Sequence, residues 1–492
     1  MINLLKKIPF FLLLLPVFFC LHGSLENFGY LELNEVLLIG VVILAWIALF
    51  FGVSWLLVRN YVLVSLTVFF ISTWYLFFGA IHDWVKSVKL LSFVSGFSVL
   101  LPLLIIITVG WIIFLKRRRT ISLKLVYYLN ILLLVYCLVD GTLLLNKQFS
   151  SQKKPARTVA FDNSRVTAKP NVYFMLFDEY PGYQSLKDSF GFANDSLYHF
   201  LQKKEFSILP VYSNYDFTLF SMSAILNMQY VDPGYDPKNV SQRELQIRTD
   251  EIRNGEVFRI FKNMGYDIQN FSVFDIGGTH AIADQNALLP VHSMLITDKI
   301  LHKRVIRSSG WLFQTGKWAL PSWRKKYLYQ HETNNLLAQK KLLETAAEKS
   351  KAPVFCYAHF MMPHWPFYND STGSPNSDTI IANSGLLNDK ALFLSYLKYT
   401  NSVIEKLVDT ITANDPGAIV VVMSDHGFRS YKNTNEYEPF NFDNICAVRS
   451  PQKDYRAERP KWSAVNFFRY LFNTQFGQHI PYLGDSSIVL RY

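Results

Sequence analysis

The feature that most limits how this chain can fold is a change of hydropathy near residue 146. Before it lie five apolar stretches, residues 8–21, 36–58, 62–81, 90–115 and 126–145, separated by short polar breaks. After it, charge, proline and glycine return at globular frequencies. A helix needs ~20 mostly apolar residues to cross the hydrocarbon core, so residues 1–146 read as a membrane domain of about five transmembrane helices. The remainder has to be a second domain, because 492 residues exceed the ~250–300 at which a single core stops growing.

Charge sets the direction of crossing. Lys6, Lys7, Arg59, the run "KRRR" and Lys124 fall on one side of the alternating spans, and "SLENFGYLELNE" falls on the other. The positive-inside rule then puts the C-terminal part outside the cytoplasm. The first stretch is short and follows Lys6-Lys7, a pattern shared by cleaved signal peptides and by anchors; either case leaves the sidedness unchanged. The expected location is a bacterial-type inner membrane, multi-pass, with the second domain periplasmic. The net charge of +11 owes much to these anchors. Nucleic acid is excluded as a partner, since the soluble half has no basic stripe with interleaved aromatics.

Residues 147–169 are polar, lack a helical period and read as a linker. From residue 170 to 492 the pattern is α/β. "NVYFMLF", "YDIQNFSVF", "APVFCYAHF" and "AIVVVM" are apolar runs of strand length, alternating with amphipathic "SLYHFLQKKEF", "NGEVFRIFKNMGY" and "LKYTNSVIEKLVDTITAN". This alternation predicts a mainly parallel central sheet sandwiched by helices, with ligands beyond the carboxyl ends of its strands. Residues 293–330, rich in Trp, Arg and Lys, have no clear period and fit no element. Of the four cysteines, Cys356 and Cys446 fall in strand-like runs and are expected as buried free thiols.

Three predicted strands end on polar residues that an apolar strand does not need: Asp178-Glu179, His359 with His364 beyond it, and Asp425-His426. An Asp in such a place is commonly a turn residue or a helix cap, and a single His commonly a hydrogen-bonded structural residue. Asp425 and His426 together, with Asp178 from another strand, supply the carboxylate and imidazole ligands of a catalytic divalent ion. A hydroxyl nucleophile is available in "YSNYDFTLFSMSAILNM", where Ser213, Thr218, Ser221 and Ser223 precede or begin an apolar helical run. A helix N-terminus can cap on such a hydroxyl and can also bind an anion.

"NVYFMLFDEY", "SNYDFTLFSMSAILN", "PHWPF" and "VVMSDHG", in that order, resemble the alkaline phosphatase superfamily and its sulfatase-like branch. With the membrane domain in front, the whole resembles lipid A phosphoethanolamine transferases and lipoteichoic acid synthases. The likeness covers residues 169–492 and extends to "SAVNFFRYLFNTQFG". It implies that Asp178, Asp425, His426 and Thr218 hold the metal, and that Thr218 is also the nucleophile. It implies that His364 binds the substrate phosphate or a second metal, with His359 beside it in substrate binding. Two departures limit the carry-over. "TLFSM" lacks the Pro and Arg of the "C/S-x-P-x-R" motif that sulfatases convert to formylglycine, and Glu179 stands where many sulfatases have a second Asp.

The expected function is transfer of a phospho-head group, of phosphoethanolamine or phosphoglycerol type, from a membrane lipid to a glycan or lipid acceptor through a phosphothreonine. The alternatives are a membrane-anchored phosphodiesterase or sulfuric-ester hydrolase, and an inactive envelope-binding relative. Mixed carboxylate, hydroxyl and imidazole ligands favour Zn²⁺ or Mn²⁺ over Ca²⁺. Head-group specificity is assigned to loops such as residues 293–330.

Overall fold

The computed structural model describes residues 7–117, 119–150, 159–284, 293–306, 321–348, 350–387, 389–429, 439–450 and 462–491. They form two compact units, one of residues 1–156 with 287–319 and the other of residues 157–286 with 320–492.

The first unit is helical: α1 (Phe11–Glu26), α2 (Leu33–Val58), α3 (Tyr61–Leu76), α4 (Phe78–Ser87), α5 (Phe97–Arg117) and α6 (Arg119–Ser150). Three stretches, Leu33–Val58, Phe97–Arg117 and Lys124–Phe149, are long and apolar enough to cross a bilayer. Helices α3 and α4 make a fourth if counted together, although they are bent by 59° at their junction. Helix α1 is apolar but has 16 residues, short of a full crossing at 1.5 Å per residue. The count by length among the described residues is therefore three or four rather than five.

Several polar side chains inside this unit are hydrogen-bonded across its helices. Asn130 accepts a hydrogen bond from the Phe11 amide at 2.7 Å and donates to the Ile8 carbonyl at 2.7 Å, closing the frayed start of α1. His22 Nδ1 lies 3.0 Å from Asp140 Oδ2.

The stretch that sequence left unassigned divides between the units. Residues 293–306 pack inside the first unit, where Ile296 and Ile300 join its core.

The second unit carries a six-stranded sheet in the order β2-β7-β6-β1-β5-β4. The strands are β1 (Val172–Phe177), β2 (Ser207–Ile208), β4 (Asp267–Phe271), β5 (Val354–Phe360), β6 (Ile419–Met423) and β7 (Cys446–Arg449). A second, two-stranded sheet pairs β3 (Val211–Tyr212) with β8 (Trp462–Ser463). β6, β1, β5 and β4 are mutually parallel, whereas β7 runs antiparallel to both β6 and β2. All four runs read as strands from their apolarity are present, and the antiparallel edge was missed because its strands are short.

Central β1 explains the sandwich. All six of its residues are buried, which is why it reads as a continuous apolar run rather than an alternating one. Tyr173, Met175 and Phe177 face one layer, containing helices α9 (Gln330–Ala347) and α10 (Lys390–Asn414). Val172, Phe174 and Leu176 face the other, containing α7 (Thr218–Asn227), α8 (Glu256–Asn263) and α11 (Phe467–Gln475). Truncating a buried ring such as Phe174 to Ala costs about 3–5 kcal/mol in a core of this kind.

Cys356 and Cys446 are both free and buried, as expected. They lie on opposite faces of the sheet, on β5 and β7, with β1 and β6 between them. At about 4.8 Å per strand they are beyond bridging distance. Burial pushes both thiols well above the ordinary range, so they are inert packing residues.

Candidate active site

Parallel neighbours end on the same edge, so the sheet order decides which side chains meet. β1 runs out into Asp178, β6 into Asp425 and His426, and β5 carries His359 just before the loop that bears His364. Thr218 is the first residue of α7, behind an extended Phe217 at the cap position. The hydroxyl does not cap its own helix; Thr218 Oγ1 instead lies 3.2 Å from His426 Nε2.

Ligand atoms of Asp178, Asp425 and His426 all lie within 4.8 Å of one another, and all three residues are buried. His426 Nδ1 is 2.7 Å from the Gly427 carbonyl, which can only accept, so Nδ1 carries the proton and Nε2 presents a lone pair. That lone pair faces Asp425 Oδ2 at 3.3 Å, Asp178 Oδ1 at 4.0 Å and the Thr218 hydroxyl. Asp178 Oδ1, Asp425 Oδ2 and Glu179 Oε2 are buried without a hydrogen-bond partner. Buried carboxylate oxygens without donors cost several kcal/mol, and a divalent cation held among them would satisfy them. Two carboxylates, an imidazole and a hydroxyl fit Zn²⁺ or Mn²⁺, while Ca²⁺ asks for more oxygens.

The other carboxylate oxygens are oriented from behind. Asp178 Oδ2 lies 3.4 Å from His359 Nε2, and His359 Nδ1 lies 3.0 Å from the Tyr357 hydroxyl. The carboxylate accepts from Nε2–H and Nδ1 accepts from the phenol, a relay that fixes the orientation of Asp178. The His359 side chain is 0% exposed, which suits an orienting residue better than a substrate contact. Burial by itself would raise the Asp178 carboxyl. The charge of His364, the bond and charge of His359, and His426 overcome it and hold the group well below the usual carboxylate range. Asp425 Oδ1 accepts from the Glu179 amide at 3.2 Å, so the two strand ends are tied directly. Ser221 Oγ donates to the Asp425 carbonyl at 2.5 Å and Ser223 to Glu251, so both serines are structural.

Glu179 and its surroundings are what sequence reasoning read least well. Its backbone is left-handed, with φ of 62°, and its side chain is 0% exposed. A non-glycine residue pays roughly 1–2 kcal/mol for that conformation, so the site imposes it. Glu179 Oε1 accepts from the Arg429 amide at 3.1 Å, with Arg429 Nε at 3.5 Å. Glu179 Oε2 faces His364 Nε2 at 3.8 Å. His364 Nδ1 donates to the Trp365 carbonyl at 2.5 Å, so Nε2 is the ring atom left to meet Glu179.

Arg429 also reaches the Asp216 carbonyl at 3.3 Å and stacks over Phe217, placing a guanidinium beside the start of α7. His331, in the first turn of α9, has a buried Nδ1 without a partner, and burial followed by the charge of His364 lowers its pKa. Nothing in "YQHETNN" marks His331 as special. Arg429, three residues beyond His426 in "SDHGFR", was the more legible of the two.

Gly427 has no left-handed backbone; its requirement is space. A Cβ there would stand 2.0 Å from the Phe440 carbonyl oxygen and 2.7 Å from that of Asp443. Its amide donates to the Asn441 carbonyl at 2.8 Å.

Residues 257–458 match the sulfatase family. No curated protein matches the chain. Among solved structures, the C-terminal periplasmic domain of EptC from Escherichia coli is similar at 12% identity with a TM-score of 0.39, over 65% of this chain and 85% of that one. That domain is also known in complex with Zn. The phosphonate monoester hydrolase SpPMH from Silicibacter pomeroyi is similar at 13% identity with a TM-score of 0.40, over 65% of this chain and 76% of that one. The stretch similar to the sulfatase family, apart from residues 287–319, lies in the second unit, which follows the apolar helices of the first.

Proposed function

We propose that the protein transfers a phospho-head group from a membrane lipid to a hydroxyl of an envelope glycan or lipid, by way of a phosphothreonine at Thr218. The observation that carries this reading is Thr218 Oγ1 at the start of α7, 3.2 Å from His426 Nε2 in a cluster of buried carboxylates with unsatisfied oxygens. A divalent cation held by Asp178, Asp425, His426 and Thr218 would lower the hydroxyl pKa and neutralise charge on the phosphoryl oxygens.

Thr218 Oγ1 attacks phosphorus, the bond to the diacylglycerol oxygen breaks, and that oxygen leaves with a proton. Amides at the start of α7 and the Arg429 guanidinium face the phosphoryl oxygens, and His364 faces the leaving group. An acceptor hydroxyl then attacks the phosphothreonine, restoring Thr218. Apolar helices in front of the catalytic domain support a lipid donor, which need not leave the bilayer. Periplasmic placement follows from the positive-inside pattern.

The test is intact-mass measurement after mixing the full chain with lipid donor and metal. A head-group phosphate adduct, absent in Thr218→Ala, is expected; no adduct in the wild type would count against the covalent route. Products with and without a sugar acceptor separate transfer from hydrolysis: a hydrolase releases the free head-group phosphate at the same rate in both.

A further inference from the structure

Residues 287–319 belong to the membrane unit although the chain on both sides of them belongs to the catalytic unit. They leave after β4 and return before α9, so the chain passes between units at three places, near residues 156, 286 and 319. The described part, residues 293–306, is seated in a way that surface loops are not. Ile296 is 1% exposed and Ile300 6%, both inside the helical core, and Leu301 packs on the cluster around Phe78 and Leu100.

Two glycines on the helices make room for this segment. A Cβ on Gly23 of α1 would stand 2.8 Å from Ile296 Cγ1, and one on Gly79 of α4 would stand 2.8 Å from the Lys299 Cα. The Gly79 amide donates to the Lys299 carbonyl at 2.7 Å, just past the 59° break between α3 and α4. The first amides of a helix have no partner within it, so the segment's backbone completes the start of α4. Asn27 Nδ2 donates to the Leu295 carbonyl at 3.3 Å, and the Tyr75 hydroxyl lies 2.8 Å from His302 Nδ1. Arg304 pairs with Asp83.

The seat is formed by one end of the bundle. Gly23 and Asn27 lie at the close of α1, and Tyr75 and Gly79 at the junction of α3 with α4, all remote in sequence from the basic anchors at Lys7 and Arg59 that begin those helices. This is the end that the positive-inside rule assigns to the catalytic side. The segment therefore reaches its seat without crossing the bilayer.

We infer that residues 293–306 are a second anchor of the catalytic half: a strap, non-covalently docked on the membrane unit, that holds the catalytic half to the membrane independently of the link around residues 151–156. This does not depend on the chemistry proposed above, and it assigns a segment that neither the sulfatase fold nor the phosphoryl-transfer site requires.

The test uses the full chain in membranes, with a specific protease sequence inserted after Lys154. Once a gel shows two fragments, the membranes are washed at high salt and pelleted. The C-terminal fragment is expected to stay in the pellet, and to move to the supernatant when Ile296→Asp and Ile300→Asp are combined, or when Gly79→Leu alters the seat instead of the strap. Release from the unsubstituted protein, or retention in both variants, overturns the proposal.

A second readout does not depend on how the variants fold. With Cys20→Ser and Cys137→Ser as background, Gly23→Cys and Ile296→Cys are close enough to form a disulfide, so the cleaved halves should run as one band without reductant and as two with it. Two bands without reductant would equally overturn it.

Discussion

Two buried polar clusters lie within a few residues of each other at the end of β1, and they are built on opposite plans. In one, Tyr180 donates to Asn401 Oδ1 at 2.5 Å, Asn401 donates to Asn194 Oδ1 at 2.7 Å, and Asn194 donates back to the Tyr180 oxygen at 2.7 Å. The ring is closed and needs nothing more. In the other, starting two residues earlier at Asp178, three carboxylate oxygens have no donor at all. Equal burial therefore carries different meanings: a completed network stabilises the fold, and an incomplete one has the open oxygens that the proposed cation would fill.

That contrast can be broken by substitution. Asp425→Asn removes one open oxygen isosterically; activity is expected to fall by roughly 10³-fold or more, on the scale of losing a principal electrostatic stabiliser. With chelator present, the same substitution should leave the melting temperature unchanged or raise it, since a buried charge has gone. A clear drop in the chelated state would show that the carboxylate stabilises the fold without metal.

Metal removal sharpens the comparison next. Wild-type protein should lose about 2.7 kcal/mol on chelation if the ion is present at a hundredfold excess over its Kd, and regain it with Zn²⁺ or Mn²⁺. Asp425→Asn should show little response, and an equal response in both would place the ion elsewhere. On the closed ring, Asn401→Leu should cost about 1–3 kcal/mol in urea unfolding while leaving metal content and turnover per folded molecule unchanged. Loss of metal in that variant would mean the two clusters are one system.

Glu332, in the first turn of α9, gives the smallest effect. Burial pushes its carboxyl up to about 7. A raised folded-state pKa means that its contribution is intact below the unfolded value near 4.3 and is lost as pH rises through about 7. Glu332→Gln should therefore match wild type at pH 4 and exceed it by about 1–2 kcal/mol at pH 8, after allowance for partial exposure. Equal stability at both values would mean that the carboxylate finds a partner on ionising.

Some of this was legible in the sequence for definite reasons. β1, β5 and β6 announce themselves because strands buried on both faces must be continuously apolar, and Asp425-His426 stand out because such a strand has no use for them. Thr218 could be singled out only through the order of its neighbouring motifs, since a hydroxyl opening a helix is ordinarily a cap. Glu179 gave no sign of its left-handed backbone, which the packing around it imposes. The seat of residues 293–306 depends on partners more than two hundred residues away; its local sign was Ile296 and Ile300 four apart in a mixed apolar and charged stretch.

The crowding at Gly427 has a consequence for proton placement. Its carbonyl is the acceptor that keeps the His426 proton on Nδ1, and its α-carbon is pressed against the backbone of residues 440–443. A single methyl group, as in Gly427→Ala, would push these segments apart and turn that carbonyl away. The imidazole could then carry its hydrogen on Nε2, offering Thr218 and any cation a proton instead of an electron pair. ¹⁵N shifts of His426 would report the exchange. The steric fit of one loop against one α-carbon thus acts as the selector of a tautomer.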